Sequence, residues 1–289
     1  MSYVDLHCHS TASDGEFAPR EVVRKAKAAG LSGLALTDHD TVAGLADAAD
    51  EAATLGLDFI TGIEISCRWE APGHLHMLGY GVDPTSADLQ RLSRDAIEAR
   101  NVRNPKMIQK LRELGIDITM EEVAAKSGGE VVSRPHMAKV LVEKGVVACE
   151  QEAFNRYLGE GAAAYYDKER LDDDYAIGVI RKAGGVAVLA HPVHLRTAND
   201  AHLRTVVKNL ADKGLEGIEV LHSEHSAERT ETYRRIAADL GLLMTGGSDF
   251  HGKGKKGVEL GLAAGRRIPG EWLDALKQRA ASRRSQRRG

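Results

Sequence analysis

Short apolar runs alternate with amphipathic helical stretches along most of this 289-residue chain. The apolar runs have the length and composition of β-strands, and helical patterns lie between most of them. Several helical patterns end in a glycine, which stops a helix at little steric cost. The predicted strands cover residues 3–9, 33–37, 58–66, 74–82, 185–191, 217–222 and 242–248. This alternation predicts parallel strands covered by helices, and seven strands suit a small or distorted α/β barrel.

The alternation is interrupted in the middle of the chain, where only helical patterns occur. These patterns lie at residues 105–114, 119–126, 135–144 and 150–158, and the remaining predicted helices are 19–29, 41–55, 86–100, 172–183, 200–213, 226–240 and 269–281. We therefore predict a helical insertion over residues 101–167 that caps the substrate site. Residues 1–100 and 168–289 would form the barrel that carries this insertion.

Almost every predicted strand carries a potential metal ligand at or near its end. His7 and His9 alternate with Cys8 in the first strand, so both imidazoles face the same side. In a parallel α/β barrel, the ends of successive strands meet on one face. The sequence therefore predicts a multinuclear metal site, and its mixed imidazole and carboxylate ligands suit zinc, manganese or iron.

The motifs at these strand ends resemble those of PHP (polymerase and histidinol phosphatase) domain phosphoesterases. The motifs are Asp5-Leu-His-Cys-His-Ser, Thr37-Asp-His-Asp, Gly62-Ile-Glu-Ile-Ser, Ala190-His-Pro and Ser248-Asp-Phe-His. Ser133-Arg-Pro-His136 and Glu219-Val-Leu-His222 are similar to one branch of that family. That branch contains 3′,5′-nucleoside bisphosphate phosphatases, also described as 5′-to-3′ exoribonucleases acting on short RNA.

The resemblance implies a distorted (β/α)7 barrel of the PHP type with a centre of two or three divalent ions. Manganese is favoured, with zinc or iron as alternatives. By position, the implied ligands are His7, His9, Glu64 and Asp249 for the first ion, Asp14, His39 and His251 for the second, and Glu64, His76 and His191 for the third. Glu64 would bridge two ions. His76 is preferred to His74 because it precedes Met-Leu-Gly, as the family histidine precedes a similar run.

Such a centre predicts phosphoester hydrolysis by metal-activated water, with Glu64 in a catalytic role and no Ser or Cys nucleophile. His222 is a candidate acid for the leaving group, or a phosphate ligand. The alternative for His222 is a hydrogen-bonded histidine at a strand end, with no part in the chemistry.

The insertion supplies cations that could hold a second phosphate. Arg100 and Arg103 are three residues apart and share one helix face, whereas Arg134 and His136 stand at the start of another helix. Lys168 lies where the chain returns to the barrel. We predict that these side chains clamp the phosphate that does not react. The alternative is an ordinary helix surface with salt bridges.

The predicted activity is hydrolysis of the 3′-phosphate of nucleoside 3′,5′-bisphosphates such as pAp to nucleoside 5′-monophosphates. The alternative is a 5′-to-3′ exoribonuclease on short 5′-phosphorylated RNA. An amidohydrolase-type C–N hydrolase is disfavoured because Glu64 stands where that class uses a modified lysine. A non-catalytic metal-binding module is disfavoured because no ligand is missing. Four Phe and two Trp offer few stacking platforms for long single strands.

Composition adds an expected location for the chain. The net charge is −3, no run approaches the ~20 apolar residues that span a bilayer, and the three cysteines are scattered. No signal peptide is visible, so we expect a cytoplasmic protein with no membrane association and no obligate protein partner. Residues 279–289 carry five arginines and no acid. This segment is predicted to be a frayed tail, or else a segment that holds a polyanion.

Overall fold

The computed structural model describes residues 2–70, 73–252 and 257–286. Its described strands form one nine-stranded sheet in the order β7-β6-β5-β4-β3-β2-β1-β9-β8. The strands are β1 Tyr3–Asp5, β2 Gly33–Leu36, β3 Asp58–Cys67, β4 Leu75–Tyr80, β5 Val186–Leu189, β6 Gly217–Leu221, β7 Leu243–Gly246, β8 Leu262–Ala263 and β9 Arg266–Pro269. All seven predicted strands are present, and β8 and β9 form a hairpin that the sequence analysis missed.

The α-helices are α1 Pro19–Ala28, α2 Leu45–Leu55, α3 Ala87–Glu113, α4 Met120–Ala124, α5 Arg134–Glu143, α6 Glu150–Ala153, α7 Asp173–Lys182, α8 Asp200–Asp212, α9 Ala227–Leu240 and α10 Glu271–Gln286. A π-helical turn, Phe154–Leu158, continues α6, and a 3₁₀ turn, Pro192–Leu195, follows β5. Among the described helices, none is both long enough and apolar enough to cross a bilayer.

The sheet curls until the segments that follow β1 and β7 lie side by side. The Leu6 N–H donates to the Gly246 carbonyl at 3.2 Å, and the Asp249 N–H donates to the His7 carbonyl at 2.8 Å. Cys8 and Phe250 then form an isolated parallel bridge. These contacts nearly close the sheet into a barrel, which confirms the predicted α/β barrel class, whereas the exact count of seven β/α units stays a prediction.

Strand β4 breaks the regular alternation of strand and helix. It pairs antiparallel with both β3 and β5, whereas β1–β2, β2–β3, β5–β6 and β6–β7 are parallel pairs. No helix separates β3 from β4 in the described residues. The expectation of uniformly parallel strands was therefore wrong at β4. Because β4 runs in the opposite direction, its beginning lies at the face where the other strands end.

Helix α3 is continuous across the predicted boundary at residue 100. The sequence analysis placed separate helices at 86–100 and 105–114, and proline usually disfavours a helix interior. The structure instead carries Pro105 inside one helix of 27 residues. Leu89 and Leu92, near its start, belong to the barrel core, whereas Met107 and Leu111, near its end, belong to a second core.

The second core lies within the predicted insertion. Buried side chains from α3, α4, α5, α6 and the π-helical turn pack together there, separately from the barrel core. Apolar burial of this kind is what a subdomain needs for its own stability. The exact division at residues 101–167 stays a prediction, since α3 contributes to both cores.

The described part of the arginine-rich segment is helical. Helix α10 continues to Gln286, where Arg279 and Arg283 form ion pairs with Glu216, and Arg284 donates to the Gly81 carbonyl at 3.0 Å. The expectation of a frayed tail was wrong for residues 279–286, because these arginines attach the helix to the barrel. Residues 287–289 lie outside the described part.

Candidate metal centre

The predicted metal ligands converge at one rim of the barrel. His7 and His9 follow β1, His39 follows β2, His191 follows β5, and Asp249 follows β7. Glu64 lies near the end of β3 and His76 near the start of β4. His76 reaches the same rim only because β4 is antiparallel to its neighbours. Asp14 and His251 come from loops beyond β1 and β7.

Glu64 lies at the centre of this cluster, with 1% of its surface exposed. Its Oε1 atom is 2.8 Å from both His76 Nδ1 and His191 Nε2. Its Oε2 atom faces three further ring nitrogens, at 3.4 Å from His7, 3.4 Å from His9 and 2.9 Å from His39. This carboxylate therefore contacts one set of histidines through Oε1 and another set through Oε2, as the predicted bridging role requires.

Four overlapping groups have ligand atoms close enough to share an ion, all within 4.8 Å of one another. The groups are His9, Asp14, His39 and His251; His7, His9 and Asp249; His7, Glu64 and His191; and His39, Glu64 and His76. All nine predicted ligands occur in these groups. His74 does not, and its Nε2 instead lies 3.0 Å from His194 Nδ1.

The electrostatics of the cluster suit bound cations. Burial opposes a charge on Glu64, yet His39 and His76 hold the pKa of its carboxyl well below the usual range. Burial and the nearby His251 lower the pKa of His9 to about 3, so its imidazole is neutral at pH 7 and offers the lone pair of one ring nitrogen to an ion. Several buried atoms of the cluster lack a hydrogen-bond partner within the described residues: His7 Nε2, His9 Nδ1 and Nε2, His39 Nδ1, Glu64 Oε2 and His191 Nδ1. A buried polar atom without a partner costs folding free energy, and a bound divalent ion would supply the missing partner for these atoms.

The backbone is strained beside the cluster. Only five described residues other than glycine have a positive φ, and three of them are Asp40, His191 and Asp249. The φ of His191 is 22°, and that of Asp249 is 57°. Strain of this kind persists where surrounding contacts hold it, and it concentrates at functional sites.

Gly247 allows β7 to pass close to His7. A Cβ at this position would lie 2.7 Å from His7 Cα and overlap the His7 backbone nitrogen. We expect Gly247→Ala to reduce the free energy of unfolding by about 1–3 kcal/mol, because backbone must shift to make room. Thermal unfolding measures this loss.

Gly178→Ala is the matched control for Gly247→Ala. Gly178 lies inside α7, and an added Cβ there meets nothing within 4 Å. This variant should match or exceed the wild-type melting temperature, since alanine is the better helix former. Equal melting temperatures for Gly247→Ala and the wild type would contradict the close approach.

A cavity of about 790 Å³ opens above the cluster. Its wall carries Asp14, His39, Glu64, His76, His191, Asp249 and His251 from the ligand cluster, together with Arg100, Arg103, Arg134 and Lys168 from the predicted clamp. Seven of the nine predicted ligands and four of the five predicted clamp residues thus face one space. A ligand with two anionic groups would have room to contact both sets of residues at once.

Comparison with known proteins identifies the family. The PHP domain model matches residues 5–213. The chain belongs to the PHP family. It is 37% identical over 247 residues to a 5′-3′ exoribonuclease of Haemophilus influenzae, covering 86% of this chain and 89% of the relative. It is 34% identical over 269 residues to a 3′,5′-nucleoside bisphosphate phosphatase of Chromobacterium violaceum, covering 90% and 91%.

A solved structure from Bifidobacterium adolescentis, described as a candidate metal-dependent phosphoesterase, superposes with a TM-score of 0.87. It is 32% identical and covers 96% of each chain. These findings confirm the predicted PHP family and identify the chain as a metal-dependent hydrolase of phosphoester bonds. The amidohydrolase and non-catalytic alternatives are therefore set aside.

Four of the predicted PHP site residues lie outside the cavity wall: the proposed ligands His7 and His9, and also His136 and His222. His136 is 1% exposed, and its Nδ1 accepts the Ser133 N–H at 3.1 Å, which caps α5. Only its Nε2 is left for a substrate. His222 is fully buried, its Nδ1 accepts the Glu224 N–H, and its Nε2 lies 3.3 Å from Asp249. This burial favours the alternative for His222, a hydrogen-bonded histidine at a strand end, and its role as an acid stays a prediction.

The sequence analysis missed Asp40 as part of the PHP site. This fully buried carboxylate forms ion pairs with Arg100 and, at 2.9 Å, with Lys168. Burial would raise its pKa, but Lys168 and Arg100 hold the pKa well below the usual range. Nothing in the linear sequence indicates that residues 40, 100 and 168 meet, because only the tertiary fold brings them together.

Proposed function

We propose that this PHP protein removes the 3′-phosphate of nucleoside 3′,5′-bisphosphates and releases nucleoside 5′-monophosphates. The observation that carries this proposal is a pair of cations in the wall of the cavity that also borders the metal cluster. Within the described residues, neither Arg103 nor Arg134 has a carboxylate at ion-pair distance, although both line the cavity. A second phosphate would supply the missing anion.

The surroundings of these two arginines favour an anionic ligand. Arg103 is 4% exposed, and burial together with Arg100 lowers its pKa to about 9. Its guanidinium donates to Asn104 Oδ1, a neutral acceptor. The guanidinium of Arg134 lies between Phe154 and Tyr165, 5.8 and 5.7 Å from the two ring centroids. Unneutralised charge in a partly buried place is costly, and a bound phosphate would relieve that cost.

The metal cluster would hold the phosphate that reacts. His7, His9, Asp249, Asp14, His39, His251, Glu64, His76 and His191 are the proposed ligands. Divalent ions bound there activate water and neutralise charge on the phosphate. Asp40 orients Arg100 and Lys168, which border the same cavity, and thereby places two further cations beside the substrate.

A substrate comparison tests the proposal directly. Purified protein reconstituted with Mn²⁺ should hydrolyse a nucleoside 3′,5′-bisphosphate with a higher kcat/KM than either the 3′- or the 5′-monophosphate. The product should be the 5′-monophosphate and inorganic phosphate. Equal kcat/KM for the bisphosphate and the monophosphates would contradict the two-phosphate site.

A second candidate is hydrolysis of short 5′-phosphorylated RNA from its 5′ end. The Haemophilus influenzae relative carries this name. A second cavity of about 350 Å³ adjoins the first and shares Ser66, Lys168 and Arg170 with it, which leaves room for further nucleotides. Including a 5′-phosphorylated trinucleotide and its unphosphorylated counterpart in the substrate comparison separates the candidates. A higher kcat/KM for the phosphorylated trinucleotide than for the bisphosphate would favour RNA.

The titration of Lys168 predicts that recognition of the second phosphate depends on pH. Burial, and then the neighbouring Arg100, lowers its pKa to about 8. The lysine is charged below that pH and loses its charge above it. We expect kcat/KM for the bisphosphate, divided by that for p-nitrophenyl phosphate, to fall as the pH rises through about 8.

Lys168→Arg should remove this fall, because a guanidinium keeps its charge at alkaline pH. The measurement is the ratio of the two kcat/KM values from about pH 7 to about pH 9.5. Dividing by the aryl phosphate cancels pH effects on the reacting phosphate and the metal ligands. A constant ratio in the wild type would exclude Lys168 from the clamp.

A further inference from the structure

Glu219 is a buried carboxylate to which the proposed chemistry assigns no role. It lies within β6 with 0% of its surface exposed. It is not part of the cavity wall, and it belongs to none of the four ligand groups. Its two oxygens lie within hydrogen-bond distance of His7 and His191. Glu219 is therefore a buried carboxyl group directly beside the metal cluster.

Each oxygen of Glu219 accepts a hydrogen bond from a different predicted ligand. Oε1 lies 3.0 Å from His7 Nδ1. Oε2 accepts the backbone N–H of His191 at 2.7 Å. His7 follows β1 and His191 follows β5, so this one side chain connects two ligands from opposite parts of the sheet.

The first contact determines which nitrogen of His7 can bind an ion. An ionised carboxylate only accepts hydrogen bonds, so His7 Nδ1 must carry the hydrogen. The lone pair then resides on Nε2, which faces Glu64 at 3.4 Å and Asp249 at 3.5 Å. A carboxylate behind a ligating imidazole fixes its tautomer and its ring orientation in this way.

The second contact holds a strained backbone. His191 has a φ of 22° and a ψ of 70°, outside the favoured regions for a residue with a side chain. Its N–H points to Glu219, and this orientation directs the His191 ring to Glu64, 2.8 Å away. Without an anion at this position, relaxation of the backbone would turn the ring away.

We propose that Glu219 is a positioning residue that sets the tautomer of His7 and the backbone of His191 before metal binds. This inference rests on the proposed metal centre. It assigns Glu219 no contact with substrate. Replacing the carboxylate by an amide should preserve its shape and remove one acceptor, because the amide nitrogen must then face either the His7 or the His191 N–H.

The test measures Mn²⁺ binding to metal-free protein by the EPR signal of free Mn²⁺. Glu219→Gln should raise the Kd by about 10- to 100-fold, the usual cost of losing such a support. ¹⁵N NMR of the metal-free protein, recorded at an alkaline pH at which His7 is neutral, should show His7 protonated at Nδ1 in the wild type and redistributed towards Nε2 in the variant. Neither readout depends on turnover.

Glu216→Gln is the matched control. Glu216 precedes β6, pairs with Arg279 and Arg283, and has no contact with the cluster. Its variant should bind Mn²⁺ like the wild type. Should Glu219→Gln fail to fold by circular dichroism, Glu219→Asp keeps the charge, withdraws the carboxylate and should weaken Mn²⁺ binding in the same direction.

The outcomes separate this inference from the proposed function. A wild type that binds no Mn²⁺ overturns the proposed metal centre and the inference together. A wild type and Glu219→Gln with equal Kd values and the same His7 tautomer overturn the inference alone. Loss of folding in both Glu219 variants would also overturn it, because Glu219 would then serve the fold and not the ligands.

Discussion

Glu64→Gln is expected to lower kcat by about 10³-fold, or roughly 4 kcal/mol of transition-state stabilisation. The Glu64 carboxylate contacts both halves of the ligand cluster, through Oε1 to His76 and His191 and through Oε2 to His7, His9 and His39. An amide keeps the shape but loses the charge and one acceptor. Steady-state kinetics with saturating Mn²⁺ and p-nitrophenyl phosphate measure the effect.

His74→Ala is the control for Glu64→Gln. His74 borders the same cavity but pairs with His194 and lies outside the four ligand groups. Its loss should cost less than about tenfold in kcat, or about 1.4 kcal/mol. Comparable losses in the two variants would mean that the ligand on β4 is misassigned and that His74, in place of His76, binds the ion.

Arg134→Ala should lower kcat/KM for a nucleoside 3′,5′-bisphosphate by roughly 30- to 1000-fold, or about 2–4 kcal/mol. The same change should barely affect p-nitrophenyl phosphate, which has only the phosphate that reacts. Arg134 has no carboxylate partner within the described residues, so its binding energy is available to a second phosphate. The decisive quantity is the ratio of the two losses.

Arg156→Ala is the control for Arg134→Ala. Arg156 belongs to the same insertion, pairs with Glu152 and stacks on Tyr157, but does not line the cavity. Both substrates should be hydrolysed by this variant as by the wild type. An equal loss for both substrates in Arg134→Ala would show that Arg134 acts on the reacting phosphate or on folding, and would overturn the two-phosphate reading.

Local pattern was sufficient to predict the strands and a metal site at their ends, and the resemblance to PHP domains implied which nine residues would form it. The alternation of His7 and His9 fixes their shared face, and each ligand motif stands beside a recognisable apolar run. The barrel class and the PHP family were confirmed because both predictions depend on these local motifs and not on contacts between distant residues. The individual ion assignments stay predictions, because the cluster overlaps: His9, for example, belongs to two groups.

Relations between distant residues could not be predicted. Asp40 meets Arg100 and Lys168 only in the folded chain, and Glu219 meets His7 across 212 positions. The same limit explains His222, whose motif suggests chemistry although its burial beside Asp249 excludes it from the cavity wall. The predicted interruption between residues 100 and 105 was also wrong, because tertiary packing on both sides of Pro105 keeps α3 continuous.

The reversed direction of β4 makes the positions of the proposed clamp residues Arg100 and Arg103 depend on the length of a helix. Because β4 ends at the face opposite the metal cluster, α3 must travel back along the barrel, and its 27 residues span about 40 Å. Arg100 lies at its midpoint and Arg103 one turn further on, so each residue added or removed before them turns both side chains by about 100° and moves them by about 1.5 Å. Insertions and deletions that a loop would absorb are therefore costly between Ala87 and Arg100. Relatives that handle other phosphate esters could diverge through a single-residue change of register in this helix, with every metal ligand left in place.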